Sequence, residues 1–445
     1  MRLTNVAQMA LPPGRLRSIE VRVADVRGPR LPVSFDQARH VGEGDRPGSW
    51  MAVAVRLPGP VADDALAAAW AAVCRRHGTL RTVFSRTDAG EVALHRVEVT
   101  DLVWVDHPAD TGRPTREVLR DVLDATCRSF DAPSHRLCLL EPDPAADDPR
   151  PALVLAADHA HVDMWSLVVL VRDLLACVAD VREGRCGDPV GGALPEAPAF
   201  VEHTAALLAR PSAPGHVRRR WADVLEAEGG VMPLFPLPLG DVGSPRPEVV
   251  EVRDVLDAEG VERLAGVAHA AGVRMIALAT SALTRATREV ADAPLRAVFP
   301  VHSRYEGRWH GAVGWFITNA VVESFDPDPR ACAAAVREAL DLGSWPLGPI
   351  LAPWGGMPQA PGMFAVSWLD TRRLPVELDP ALELQYVSAA IRTDGVMIWF
   401  VVNDTGLHLR CRYPDTPEAR ANVGRWVDAV EEGLRAAAVP PVRVD

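Results

Sequence analysis

Apolar positions along this chain follow two periods, one near two residues and one near 3.6, and they exchange repeatedly. Residues 1–30 carry Pro12-Pro13-Gly14 and Pro29 and predict a lead-in over the surface. Trp50 to Leu57 predicts a strand, and Pro58-Gly59-Pro60 turns the chain. Asp63 or Asp64 can cap a helix running to about Arg76, with Leu66, Ala69, Trp70 and Val73 on one face. His77 to Phe84 reads as a helix stop entering a strand, and Val92 to Val99 as a further strand. Thr115 to Phe130 predicts an amphipathic helix, followed by strands over Leu137 to Leu140 and over 152–157. Leu167 to Val178 is apolar and of helical length.

Gly187 to Pro198 is rich in Gly, Pro and Ala and predicts a linker. Phe200 to Ala227 predicts a helical stretch, Val249 to Leu256 a strand, and Ala258 to Ala271 and Val273 to Arg288 two helices. Strands are expected over Arg296 to Val301, within Gly314 to Ser324 and over Phe364 to Leu369, with a loop over Pro346 to Pro361. Leu382 to Ala390, Val396 to Asn403 and Leu407 to Tyr413 suggest a β meander before a closing helix, Pro417 to Ala438. The alternation on both sides of the linker predicts two α/β lobes, 1–186 and 187–445.

A length of 445 residues suits two domains, and 48% hydrophobic residues suits a globular chain. No uninterrupted apolar run reaches ~18 residues, so no membrane span is expected. Met1-Arg2-Leu3-Thr4 is not a charged region followed by an apolar core, so no secretory signal is expected. A net charge of −12 argues against nucleic acid or an anionic membrane as partner. All 47 basic residues are Arg, which removes a lysine Schiff base and a P-loop lysine. The seven Cys (74, 127, 138, 177, 186, 332, 411) form no C-x-x-C pair and predict reduced thiols in a cytoplasm.

The densest chemistry lies in Asp158-His159-Ala160-His161-Val162-Asp163-Met164-Trp165-Ser166, between the strand at 152–157 and the helix after it. Three readings are open. An imidazole can act as general base toward an attacking hydroxyl or amine, its reference pKa lying near ~6.5. His159-x-His161-x-Asp163 also matches the opening of the metallo-β-lactamase motif H-x-H-x-D-H, but Met164 stands where the last His is required. His203, His216, His269, His302, His310 and His408 lack the context of further zinc ligands. The third reading is a loop whose His and Asp cap the following helix.

The surroundings favour the first. Aligned on Asp163, the segment resembles the H-H-x-x-x-D-G motif of the condensation-domain superfamily, which includes nonribosomal peptide synthetase condensation domains, chloramphenicol acetyltransferase and the polyketide-associated (Pap) acyltransferases. Its second, catalytic His falls on His159, and Trp165-Ser166 matches the W-S that follows. Ser34-Phe35-Asp36-Gln37 is similar to an early S-x-x-Q block, Arg76 to Phe84 to R-H-E-x-L-R-T-x-F, and Val313-Gly314-Trp315-Phe316-Ile317-Thr318-Asn319 to V-G-x-F-x-N-T. The stretch Phe235 to Asp241, with Gly314-Trp315-Phe316, Pro361-Gly362-Met363-Phe364 and Tyr413-Pro414-Asp415, most closely resembles the Pap acyltransferases. The chain departs from the family at Asp158 (first His of the motif), at Met164 (its Gly), in lacking an apparent D-F-G-W-G, and in Asn319, one place late.

The resemblance implies an α/β fold of two chloramphenicol-acetyltransferase-like lobes forming a V with a central channel. It implies a stand-alone acyltransferase, moving an acyl group from acyl-CoA or a phosphopantetheine acyl carrier protein to a small-molecule alcohol or amine in natural-product or lipid biosynthesis. His159 is then the general base and Asp163 forms a structural ion pair with Arg304. Asp158, His161, Met164, Trp165, Ser166, Trp315, Phe316, Ser367 and Trp368 are candidate channel residues. No metal or cofactor is expected beyond the thioester donor. With no Lys, any clamp on CoA phosphates must be Arg, for example Arg218-Arg219-Arg220. An amide-forming stand-alone condensation enzyme and an inactive condensation-like module that recruits carrier proteins are the alternatives.

Overall fold

In the computed structural model, residues 2–26, 28–108, 112–184 and 194–439 are described. They form two compact units, each assembled from three segments. The first comprises Met1–Ala209, Arg304–Ile317 and Leu374–Ala390, and the second Arg210–Ser303, Thr318–Arg373 and Ile391–Asp445. A single boundary after residue 186 is therefore corrected. The cause is long-range pairing, which returns two short segments of the C-terminal half to the first unit.

The first unit holds an eight-stranded sheet in the order Arg2–Asn5, Gln385–Ser388, Trp50–Arg56, Ala152–Asp158, His135–Pro142, Gly14–Asp25, Val92–His107, Thr82–Arg86. All neighbours run antiparallel except the first pair. Residues 1–30 are thus no surface lead-in. Gly14–Asp25 is an interior strand whose Leu16, Ile19 and Val21 are buried, and the single Pro12-Pro13-Gly14 turn precedes it rather than preventing it. The expected meander is also corrected. Gln385–Ser388 pairs with Arg2–Asn5 and Trp50–Arg56, while Val396–Asn403 and Gly406–Pro414 pair with each other in the second unit. Short apolar strands of this kind carry no label for their sheet.

Helices of the first unit are α1 (Phe35–Gly42), α2 (Asp63–Arg76), α3 (Thr115–Thr126), α4 (Met164–Arg182) and α5 (Phe200–Leu208). In α2 the buried positions Leu66, Ala69, Trp70 and Val73 follow the helical period and pack against α4. Neither Asp63 nor Asp64 caps it. The N-cap is Ala62, and Asp63 accepts from Arg17 at 2.6 Å, which pins the helix start to the sheet. His77 and Arg76 both donate to Asp173 of α4, at 2.9 and 2.8 Å, so the block from Arg76 locks α2 to α4.

The second unit holds a seven-stranded mixed sheet: Ile317–Ser324, Leu295–His302, Phe364–Asp370, Val396–Asn403, Gly406–Pro414, Arg246–Asp257, Arg392–Thr393. Helices Met275–Ala291 and Pro417–Ala437 pack together, and buried Trp426 donates to Thr287 at 3.0 Å. The helical stretch expected over Phe200 to Ala227 is two helices, Phe200–Leu208 and Gly215–Ala227, separated by Pro211 to Pro214. That break coincides with the boundary between units. Of the expected linker, residues 187–193 lie outside the described residues, as does Cys186; the other six Cys are free and buried. Among the described residues no single helix is long and apolar enough to cross a membrane.

Val387 sits in a strand paired on both edges. Val387→Pro removes a backbone donor there and is expected to destabilise the protein by about 3 kcal/mol or more. A urea midpoint equal to that of the unsubstituted protein would contradict this placement.

Candidate active site

The site is built on five residues that join a strand to a helix. Ala152–Asp158 is buried along its whole length, between Trp50–Arg56 and His135–Pro142. His159 extends that ladder by donating its N–H to the Ser49 carbonyl at 2.9 Å. The chain then turns. His161 N–H donates to the Asp158 carbonyl at 3.0 Å, and Ala160 N–H to Asp158 Oδ1 at 2.9 Å. Asp163 ends the turn as N-cap of α4, accepting from Ser166 N–H at 2.7 Å. From outside, Gln37 Nε2 donates to the Ala160 carbonyl at 2.8 Å. Gln37 is itself set by a reciprocal capping box with Ser34 at the start of α1. The early S-x-x-Q block therefore props the loop.

His159 is partly exposed. Its Nδ1 lies 2.9 Å from the Val162 carbonyl oxygen, which can only accept, so Nδ1 carries the proton and Nε2 keeps its lone pair. The Trp315 indole stacks on the imidazole at 4.1 Å between centroids and 15° between planes. Burial pushes the His159 pKa below its usual 6.5, against the opposing pull of the backbone carbonyls and Asp158. The ring is thus in its proton-accepting form at neutral pH.

Asp158 was expected along a channel, yet it has no exposed surface. Ser49 Oγ at 2.5 Å, Ser129 Oγ at 3.1 Å and His40 Nε2 at 3.3 Å donate to Oδ2. Burial alone would raise its pKa, but the bonds from His40 and Ser49 outweigh it and hold the carboxyl at about 2. Asp158 is a brace of the turn, not part of a wall.

Arg304 closes the other side of the loop. It donates to Asp163 Oδ2 at 2.6 Å and Oδ1 at 3.1 Å, to Ser166 Oγ at 2.7 Å and to the Ala312 carbonyl at 3.3 Å. Its guanidinium lies 3.9 Å over the Phe316 ring. Asp163 Oδ2 also accepts the Phe316 N–H at 3.0 Å, and Ser166 Oγ is bonded to both the N–H (3.0 Å) and the carbonyl (2.8 Å) of Gly314. The backbone on both sides of Trp315 is therefore fixed to the first turn of α4. Gly314 has no alternative, since a Cβ there would lie 2.3 Å from Phe200 Cγ. Burial opposes ionisation of Asp163, and Arg304 overcomes it, leaving the pKa below the usual carboxylate value.

The other expected residues stand on several elements. His161 is buried against Phe84, with neither ring nitrogen hydrogen-bonded, and burial lowers its pKa to about 4. Met164 begins α4, half-buried, and Trp165 donates to the His310 carbonyl at 3.1 Å. Ser367 and Trp368 stand on Phe364–Asp370 of the second unit, where Trp368 packs near Phe400. Of the Arg triplet, Arg220 is engaged by Glu323 at 2.5 Å and Glu338 at 3.0 Å, so it is not free to clamp a phosphate. Among the described residues no cluster of His, Cys, Asp or Glu is arranged to hold a metal ion, and both Asp163 oxygens are taken by Arg304. The sequence reading missed His40, Ser49 and Ser129. His40 had a signal: it lies three residues after Gln37, on the same helix face.

The family model of the Condensation domain matches residues 42–338, about two thirds of the chain. The chain is 24% identical over 424 residues to the acyltransferase PapA3 of Mycobacterium tuberculosis, covering 89% of this chain and 87% of that protein. The fold superposes on the structure of the PapA2 acyl transferase with a TM-score of 0.85 at 20% identity, covering 99% of this chain and all of that one. It superposes on the first condensation domain of the calcium-dependent antibiotic synthetase with a TM-score of 0.68 at 15% identity, covering 93% and 98%.

Arg304→Met leaves the Asp163 carboxylate buried without its counter-ion. The expected loss is about 3–5 kcal/mol, read as a lower urea midpoint. A second expectation concerns pH. His161 and His135, with pKa values pressed by burial to about 4 and about 3, stay unprotonated in the fold while the unfolded chain takes up protons near 6.5. The unfolded state binds more protons in that window, so stability is complete above about pH 6.5 and falls as pH drops through it. Thermal melts between pH 7.5 and 4 check the sign, and His161→Phe should flatten the slope.

Proposed function

We propose that this chain, which belongs to the condensation-domain family, transfers an acyl group from a thioester to a hydroxyl or amine with His159 as general base. Similarity to PapA3 over most of its length supports the acyltransferase class. The fold is the family's α/β pair of chloramphenicol-acetyltransferase-like lobes. The observation that carries the catalytic reading is the His159 tautomer. Nδ1–H is committed to the Val162 carbonyl, so Nε2 is the accepting atom.

In this reading the acceptor O–H or N–H gives its proton to Nε2 as its heteroatom attacks the thioester carbonyl carbon. The tetrahedral intermediate collapses with cleavage of the C–S bond, and His159 returns the proton to the thiolate. A thioester carries its own activation, so the step needs no cofactor. Asp163 and Arg304 hold the first turn of α4 and do not handle the proton. The donor is acyl-CoA or an acyl carrier protein. O-acylation of a small-molecule alcohol in lipid or natural-product assembly is the favoured product chemistry, with the resemblance to Pap acyltransferases as its support.

The test is thiol release from a panel of acyl-CoA and carrier-protein thioesters with pooled alcohol and amine acceptors. Acceptor-dependent release is expected, falling about 100-fold or more in His159→Ala. Because the base must be unprotonated, kcat/KM should rise with pH through an ionisation below 6.5 and level off at neutral pH. Release that persists in His159→Ala would overturn the assignment of the base. A folded protein releasing no thiol across the panel would favour a carrier-recruiting role instead.

A further inference from the structure

The carboxylate at position 158 occupies the place of the motif's first imidazole, and an imidazole from another element stands beside it. His40, on the last turn of α1, is buried. Arg46 donates to its Nδ1 at 3.2 Å and to its carbonyl at 3.2 Å. A guanidinium can only donate, so Nδ1 accepts and Nε2–H faces Asp158 at 3.3 Å. Arg46 is in turn held by Glu43 at 2.7 Å. The ring itself packs edge-on to Trp315, 5.2 Å between centroids at 77°, and to His159, 6.0 Å at 65°. His40 therefore touches both supports of the base: the carboxylate that braces its turn, and the indole stacked on its face.

We propose that His40, oriented by Arg46, is a positioning residue for His159. Its Nε2–H fixes the Asp158 carboxylate, and its ring edge seats Trp315 against the catalytic imidazole. Asp158 and His40 then act as a pair, and neither alone does the work of the motif's first His. The charged and titratable groups around His40 are Asp158, His159 and His161 from the strand-to-helix loop, with Arg46 and Glu43 at the end of its own helix.

The inference rests on the acyl-transfer reading, so its test includes a readout that does not need turnover. His40→Ala, His40→Gln (donor kept, ring lost) and His40→Phe (ring kept, donor lost) are compared for kcat, KM, melting temperature and the His159 ionisation, the last by NMR of protein labelled in the histidine rings. His40→Ala is expected to lower kcat about 10- to 100-fold with KM little changed, the size of effect that misplacing a catalytic group produces. It should also raise the His159 ionisation, because an Asp158 carboxylate without the His40 donor favours the imidazolium more strongly. His40→Gln should recover the ionisation and His40→Phe part of kcat, and Asp158→Asn added to His40→Ala should return the ionisation downward. An unchanged His159 ionisation in all three variants overturns the proposal. So does a kcat loss that merely follows the melting temperature. Absence of transfer by the unsubstituted protein would overturn the acyl-transfer reading, while the NMR titration still decides the role of His40.

Discussion

The buried pair of Asp163 and Arg304 is the constraint on which the site depends. A carboxylate and a guanidinium without solvent exposure are each costly to bury, and the pair is tolerable because both carboxylate oxygens and both terminal guanidinium nitrogens are hydrogen-bonded. Its geometry does more than balance charge. Asp163 starts α4, takes the N–H of Phe316 and, with Ser166, fixes Gly314, so one cluster sets the helix, the loop and the segment bearing Trp315. The imidazole of His159 is then held from below by its own turn and from one face by an indole. Preorganisation of this kind keeps the imidazole in one orientation.

At position 158 a carboxylate stands where the resembled motif has its first His, and it is held by a set of donors of its own. A carboxylate in a dry interior demands donors, and two serines, one histidine and one backbone amide supply them. Those donors come from separate places in the chain, so the change at one position is legible only with the surrounding side chains in view.

Much of the architecture was legible in the sequence because long periodic segments announce themselves. The helical period in α2 and the unbroken apolar run at 152–157 gave two elements of the first unit and the junction between strand and helix. The pairing of Asp163 with Arg304 followed from the family resemblance, not from spacing. What remained hidden was long-range pairing. Gln385–Ser388 has only four residues, with no feature to tell its sheet from the strands that follow it. Gly14–Asp25 was obscured by the prolines just before it. Ser49 and Ser129 carry no local signal at all; their roles exist only relative to Asp158.

The return of residues 304–317 and 374–390 to the first unit has a consequence for the order of events during synthesis. A chain emerging from the ribosome makes 209 consecutive residues of that unit and then lacks both the counter-ion of Asp163 and the strand beside Trp50–Arg56. Arg304 supplies the counter-ion once residue 304 is out, but the sheet keeps an unfilled place until Gln385–Ser388 follows. The nascent first unit therefore waits for its last strand, and two of the three segments of the second unit are translated before the first can close.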